Sequence, residues 1–385
     1  MLLTPFPSLD FPRETGYVQI SSGALKQNEE ARMDGQDEPS VDLSLPVSQP
    51  SSCPYDAFLL VSFGGPEKPE DVVPFLESVV RGKKVPRQRL LEVAEHYALF
   101  GGVSPLNAQN RAMLAALAGE LNARGPHLSI YWGNRHGHPL LEDTLAEMAD
   151  DQVRRALAFV TSAFGSYPGC RQYLEDIDRA CRKVGPRAPR VDKLRLYYNH
   201  PGFIESQAER VVAALHQIPP ERRDAAKLIF TAHSLPVAMA ARCPYQRQLE
   251  EACRLVAARI GRGDWRLAFQ SRSGPPTQPW LAPDVGESLV QLRQSGFIGD
   301  VVIVPIGFVA ENMEVVYDLD VEVAALGEQL GLNVVRAAVV ATHPRFVGMI
   351  RELILERLEP QAPVLALGHL GPSPNHCPPD CCPPE

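Results

Sequence analysis

One repeated unit dominates this chain: a short apolar run closed by turn residues and followed by an amphipathic helical stretch. The runs occupy residues 57–63, 128–133, 157–162, 193–198, 227–233, 265–270, 301–306 and 333–338. Helical periodicity fills intervals such as 107–123, 172–183, 202–217, 246–260 and 314–330. A strand that is apolar along its whole length, rather than at alternate positions, is buried on both faces. That pattern belongs to parallel sheets covered by helices. Eight such runs in 385 residues fit two four-stranded units better than one large sheet. A barrel fits less well, because the helical stretches after the first run are multiplied and irregular. The expected fold class is therefore α/β, with two Rossmann-like domains at 55–195 and 196–362, each a parallel sheet flanked by helices. Residues 1–54, rich in Ser, Pro, Gln, Glu and Asp, are expected to be a disordered extension, and 363–385 a Cys/Pro-rich tail.

Composition removes several classes of function. The chain has 38 basic and 46 acidic residues, a net charge of −8, where a general nucleic-acid binder would carry a basic excess. No apolar run is long enough to span a membrane. The first residues lack a basic start and are broken by Pro5, Pro7 and Pro12, unlike a signal peptide. A cytoplasmic, reducing location is expected, so the eight cysteines should be core thiols, metal ligands or reactive groups rather than disulfides. There is no GxxxxGK[ST] loop and no GxSxG elbow, and Gly261-Arg262-Gly263 precedes a strand instead of opening a helix. The sequence asks for neither a nucleotide nor a serine nucleophile.

In open α/β sheets, ligands gather beyond the carboxyl ends of the strands. At those ends stand Phe63-Gly64-Gly65-Pro66, Ser166-Tyr167-Pro168-Gly169-Cys170, His233-Ser234-Leu235-Pro236, the 270–275 segment, and Gly307-Phe308. A neutral His233 there could accept a proton or bind a divalent metal, although a lone histidine is as readily structural. Further on, Glu314, Asp318 and Glu322 recur at i, i+4 and i+8, with Glu311 and Asp320 nearby. No Lys or Arg follows until Arg336, so pairing within the helix cannot neutralise the row. Like charges so spaced raise one another's pKa unless a cation intervenes, and the row suits a divalent cation or protons. In the tail, Cys377, Cys381 and Cys382 sit among prolines, and a fourth ligand would complete a set for a 2Fe–2S cluster or zinc.

Together these motifs resemble those of the ferrochelatases. The resemblance rests on His233-Ser234-Leu235-Pro236, on Gln270-Ser271-Arg272-x-Gly274-Pro275 with Trp280-Leu281-x-Pro283, and on Pro305-x-Gly307-Phe308 with Glu314, Tyr317-Asp318-Leu319-Asp320 and Glu322. Phe63-Gly64-Gly65-Pro66 and Gly101-Gly102-x-Ser104-Pro105-Leu106 fit the same family, and the match runs from 55 to 358 in the family's order. It implies insertion of ferrous iron into a free-base porphyrin held in a cleft between the two domains. His233 corresponds to the metal-binding, proton-accepting histidine and Glu314 to its partner carboxylate across the macrocycle. Asp318 and Glu322 correspond to a metal or proton relay. Phe63, Arg81, Tyr97, Ser104 and Tyr167 fall where family members contact the porphyrin.

The tail is similar to that of the actinobacterial branch, which implies Cys170 as the fourth ligand, beside Cys377, Cys381 and Cys382, of a 2Fe–2S cluster. That branch implies coproporphyrin III as substrate rather than protoporphyrin IX. Expected partners are the porphyrin and ferrous iron, with no nucleic acid, no membrane span, and room for transient contact with neighbouring haem-pathway enzymes. Two departures stand out. Glu311-Asn312 occupies the place of an Asp-His pair in many family members, and Phe63, where some relatives carry Tyr or Met, cannot ligate iron. Two other readings share part of the pattern: a chelatase for another metal and tetrapyrrole, and a haem or iron–sulfur sensor without catalysis.

Overall fold

The computed structural model describes residues 53–82, 85–274, 277–378 and 380–384. The expected N-terminal extension lies outside the described residues up to Ser52, as do Lys83, Lys84 and Pro275. Eight strands form: β1 (Ala57–Ser62), β2 (Ser129–Asn134), β3 (Arg155–Val160), β4 (Arg190–Lys193), β5 (Lys227–His233), β6 (Trp265–Gln270), β7 (Asp300–Val304) and β8 (Asn333–Arg336). They make two four-stranded sheets, ordered β2-β1-β3-β4 and β6-β5-β7-β8, with every pairing parallel. β1 and β7 are buried at every position, which is why their sequences do not alternate. Both sheets repeat one strand order. Each therefore reverses its winding once, between β1 and β3 and between β5 and β7, the point at which ligands gather in open sheets of this kind.

Two expected elements come out differently. The run at 193–198 predicts a strand, but β4 ends at Lys193. Leu194 still donates to the Ala158 carbonyl at 2.8 Å. The next side chain, Arg195, is buried and forms a two-pronged ion pair with Glu356, both bonds 2.7 Å long. A buried guanidinium must meet its counter-charge, and that demand overrides continuation of an edge ladder. The segment 314–330, expected as one helix, is three pieces: Met313–Val316, a π-helical turn at Asp318–Val323, and Ala324–Leu330. Glu322 N–H bonds to the Tyr317 carbonyl, five residues back, at 3.1 Å. Such inserted turns concentrate at functional sites.

The two sheets share one apolar core that includes Phe58 and Phe159 from the first and Phe230 and Val302 from the second. The helix Pro344–Leu358 closes it, packing on the helices Pro201–Leu215 and Leu106–Arg124. Its Phe346 meets Phe159 edge-on, ring centres 6.2 Å apart. The chain then runs back across the body as a strap. Arg195 Nη2 donates to the Leu365 carbonyl at 2.7 Å, and Asn199 Nδ2 donates to the carbonyls of Leu367 and Gly371 at 3.1 and 2.8 Å. Among the described residues, no helix is long and apolar enough to cross a membrane.

Candidate active site

The motifs around His233 are a packing solution for one strand end. Gly307 bonds to the Thr231 carbonyl at 3.0 Å, and a Cβ there would fall 2.7 Å from Ala232 Cα. Only glycine lets the exit from β7 cross directly over β5 and carry the 308–314 segment to His233. The turn after His233 is pinned by the 279–281 segment. Ser234 Oγ donates to the Leu281 carbonyl at 2.9 Å, and Leu281 N–H donates to the Leu235 carbonyl at 2.9 Å. Trp280 lies against Gly274, where a Cβ would come within 2.5 Å of the indole. Asn312, the departure noted in the sequence, caps the next helix by accepting from Val315 N–H at 3.0 Å.

His233 Nδ1 lies 2.5 Å from the Ser234 carbonyl oxygen. A carbonyl only accepts, so Nδ1 carries the hydrogen and Nε2 is the nitrogen presented to the site. Nε2 stands 3.4 Å from Glu314 Oε1, with the two side chains 33% and 42% exposed. Burial pulls the imidazole's pKa down. The Glu314 carboxylate, helped by the Ser234 carbonyl and Asp318, outweighs it and lifts the value to about 9. This contact corrects one expectation. The resemblance puts Glu314 across the macrocycle from His233, but a 3.4 Å separation leaves no room for a ring between them, so the two side chains lie on the same side of any ring bound there.

The carboxylate row is resolved by its partners. Glu311 and Asp320 both pair with Arg336, which removes them from the row. Glu314, Asp318 and Glu322 remain. Gln270 Nε2 donates to the Glu314 carbonyl at 2.5 Å and to Asp318 Oδ2 at 3.3 Å, and the Ser271 hydroxyl also donates to Asp318. Ser271 holds a left-handed φ of 60°, a conformation that costs energy for a non-glycine residue and aims its hydroxyl at the carboxylate. Asp318 is raised to about 7, first by burial and then by the nearby charges of Glu314 and Glu322, against the Ser271 hydrogen bond. A cavity of about 190 Å³ opens beside it, lined by Gln270, Ser271, Asp318, Glu322 and Asp284. Asp284 escaped the sequence reading; in the structure it caps the helix Val285–Gln294, and the fold brings it near Glu322.

A stability prediction follows for the metal-free protein. Asp318's folded pKa lies above its ordinary 3.8. Between that value and about 7 the folded state binds the extra proton, so stability falls as pH rises through this window. Asp318→Asn is expected to remove that loss. Thermal melts from pH 4 to 8 should show the variant gaining on the parent as pH rises; parallel curves would contradict the burial of this carboxyl.

The five residues expected at the porphyrin are not placed alike. Phe63 packs against the cluster of Phe75, Tyr97, Met313 and Val316, which joins the helices Pro69–Val79 and Arg87–Ala98 to the Glu314 segment. Burial and the Glu314 carboxylate both push the Tyr97 phenol up. Arg81 is exposed just past the first of those helices. Ser104 is buried against Gly65, and its oxygen faces Leu106 N–H at 3.4 Å. Tyr167 donates to Glu175 at 3.1 Å and shares a π-helical turn with Cys170. His96 stacks on Tyr317 at 3.8 Å, a second contact across the same join that the sequence did not signal.

Cys170 and the tail thiols converge. Cys170 and Cys377 are close enough to shift one another's pKa, and so are Cys377 and Cys381. Cys381 and Cys382 sulfurs lie 3.5 Å apart. The neighbouring Cys377 and burial push the Cys170 thiol up, whereas Cys170 holds Cys377 below its ordinary value. Among the described residues, no three His, Cys, Asp or Glu side chains are grouped so that they could hold a metal ion. As a donor set, four thiols from a fixed turn and a strapped tail suit a thiolate-bound centre.

The family model described as "Ferrochelatase" matches residues 55–358. A "Ferrochelatase" of Rhodopirellula baltica is 53% identical over 331 residues, covering 86% of this chain and 93% of that protein. A "Coproporphyrin III ferrochelatase" of Frankia alni is 52% identical over 350 residues, covering 88% and 89%. Among solved structures, SirB from Bacillus subtilis with Fe3+ aligns at 14% identity and a TM-score of 0.48, over 80% of this chain and 98% of that one. The sheet order, the His233–Glu314 contact and a family match that spans both sheets lead to one assignment: the chain belongs to the ferrochelatase family.

Proposed function

We propose that this protein inserts ferrous iron into free-base coproporphyrin III, giving Fe-coproporphyrin III for haem b synthesis in the cytoplasm. The observation that carries the reading is the His233–Glu314 contact at the head of a carboxylate row. The substrate choice is supported by relatives named coproporphyrin III ferrochelatase at about half identity, from Frankia alni and Nocardia farcinica.

Iron is the substrate and moves inward along Glu322, Asp318 and Glu314, whose oxygen donors suit a divalent cation. His233 Nε2 and Glu314 then hold it at the ring centre. The macrocycle lies on Phe63 and Tyr97, with Arg81, Ser104 and Tyr167 serving its rim. These apolar groups now pack directly on Met313 and Val316, so entry requires the helices Pro69–Val79 and Arg87–Ala98 to move away from them. Peripheral binding energy bends the ring and exposes its nitrogens. The division of labour follows the proposed domains, 55–195 supplying most of the porphyrin wall and 196–362 the metal side.

Cys170, Cys377, Cys381 and Cys382 would hold a 2Fe–2S cluster. Bound there, it would supply thiolate–iron bonds that tie the 363–385 tail to the body. The function is tested by anaerobic mixing with ferrous iron and coproporphyrin III or protoporphyrin IX. A shift of the Soret and visible bands, faster with coproporphyrin III, is expected; no shift with either porphyrin removes the reading. The same preparation should show visible absorption and iron–sulfur stoichiometry that Cys377→Ser abolishes; a colourless parent would remove the cluster.

A further inference from the structure

The last residue of β5 outruns one of its neighbours. β5 pairs with β6 as far as His233, opposite Gln270, but its pairing with β7 ends at Phe230, opposite Val304. Successive residues of a strand turn their backbone N–H and C=O to opposite neighbours. Thr231 and His233 therefore turn their carbonyls to the β7 side, where the ladder has already ended. Gly307 N–H reaches the Thr231 carbonyl at 3.0 Å. The His233 carbonyl, two residues further, receives the Tyr245 hydroxyl at 2.9 Å. A side chain thus donates where the neighbouring strand would have done so.

Tyr245 is well anchored for this task. It opens the helix Tyr245–Arg259 and is buried. Its ring meets Phe164 edge-on, centres 6.2 Å apart. On the same helix, Gln248 Oε1 accepts from Gly165 N–H at 2.7 Å. A Cβ at Gly165 would fall 3.0 Å from Pro244, the residue before Tyr245. The first turn of the helix is therefore fixed against the 164–165 segment that follows β3. Burial, and after it the Glu314 carboxylate, push the phenol's pKa up, so the oxygen keeps its proton and remains a donor.

The bond acts on the peptide that joins His233 to Ser234. Its oxygen accepts from Tyr245, and its nitrogen donates to the Gln270 carbonyl at 2.8 Å. Held at both ends, the peptide plane cannot turn, and the direction of the His233 side chain is set with it. In that direction Nδ1 meets the Ser234 carbonyl and Nε2 faces Glu314 at 3.4 Å. The first sheet offers a matched bond without the chemistry. The buried Tyr197 hydroxyl donates at 3.0 Å to the carbonyl of Val160, the last residue of β3.

We propose that Tyr245 is a positioning residue for metal insertion: its hydroxyl fixes the His233 backbone and thereby aims Nε2 at the metal beside Glu314. The inference rests on the ferrochelatase reading.

Tyr245→Phe in the full chain removes one oxygen and keeps the ring against Phe164. Under anaerobic turnover with ferrous iron and coproporphyrin III, kcat is expected to fall about tenfold with the porphyrin KM nearly unchanged. Tyr197→Phe, which loses the same kind of bond, should keep the parental kcat. An effect that runs through His233 must vanish without it, so Tyr245→Phe should leave the residual rate of His233→Ala unchanged. The ring itself is read by NMR on protein carrying isotope-labelled histidine. The His233 Nδ1–H signal, identified by its loss in His233→Ala, should broaden in Tyr245→Phe and stay sharp in Tyr197→Phe. A Tyr245→Phe protein with parental kcat would overturn the proposal. So would equal losses in the two Tyr→Phe proteins, a loss of the same size in the His233→Ala background, or an Nδ1–H signal that Tyr245→Phe leaves unmoved. Failure of the ferrochelatase reading is distinct: the parent protein would then form no metalloporphyrin, while the Nδ1–H signal would still report on the hold of Tyr245 over the ring.

Discussion

His233→Ala is expected to cut metallation by about 10²–10⁴-fold while leaving porphyrin binding largely intact. The side chain faces Glu314 and its ring orientation is set by Ser234, so its removal takes away a basic nitrogen without opening the core. Quenching of porphyrin fluorescence on binding, measured beside turnover, separates the two effects. Near-parental turnover would end the assignment of His233 to the reacting centre. A titration adds a second check. Burial disfavours the imidazolium, and the Glu314 carboxylate is the main force that overcomes it and lifts the pKa to about 9. In Glu314→Gln, the His233 ring signals should therefore titrate at markedly lower pH. The stability sign is also defined: a pKa raised from 6.5 to about 9 stabilises the fold fully below 6.5, and the benefit is lost as pH climbs through 9. The difference in melting temperature between parent and His233→Ala should shrink across that interval.

The second large effect lies far from the chemistry. Arg195 and Glu356 are each 1% exposed at the side chain and meet through two bonds of 2.7 Å. Arg195→Met strands a carboxylate in the core and is expected to cost about 3–5 kcal/mol of stability. Arg195 also holds the Leu365 carbonyl, so the tail should loosen in the same variant and become the first site of proteolytic cutting. The double variant Arg195→Met, Glu356→Leu should recover most of the stability, because an apolar pair of similar volume carries no desolvation cost. Urea unfolding of the three proteins decides this. A single variant as stable as the parent would mean that the pair contributes nothing, and a double variant no better than the single would mean that shape, not charge, is at stake.

How far the sequence reached is clear at particular residues. The apolar runs that became β1, β3, β5 and β7 were legible because full burial on both faces leaves no alternation. His233 was legible because it ends such a run. The row Glu314, Asp318, Glu322 was visible as spacing, but not that Arg336 would neutralise Glu311 and Asp320 and leave those three. The π-helical turn was invisible, since the same residues read equally well as one α-helix. Arg195 misled, because a charged residue flanked by Leu194 and Leu196 looks like a strand's outward position until Glu356 arrives from 161 residues away.

Local order, then, was written in the chain itself: strand and helix identity, the glycines that permit close crossings, and the side chains stationed at strand ends. These depend on neighbours a few residues away, where burial period and backbone freedom act directly. Which charges cancel, which carboxyls keep their protons, and which nitrogen of His233 holds its hydrogen were settled only by folding. Those properties depend on distances of a few ångströms between segments remote in sequence, and electrostatic and hydrogen-bond energies change steeply over that range.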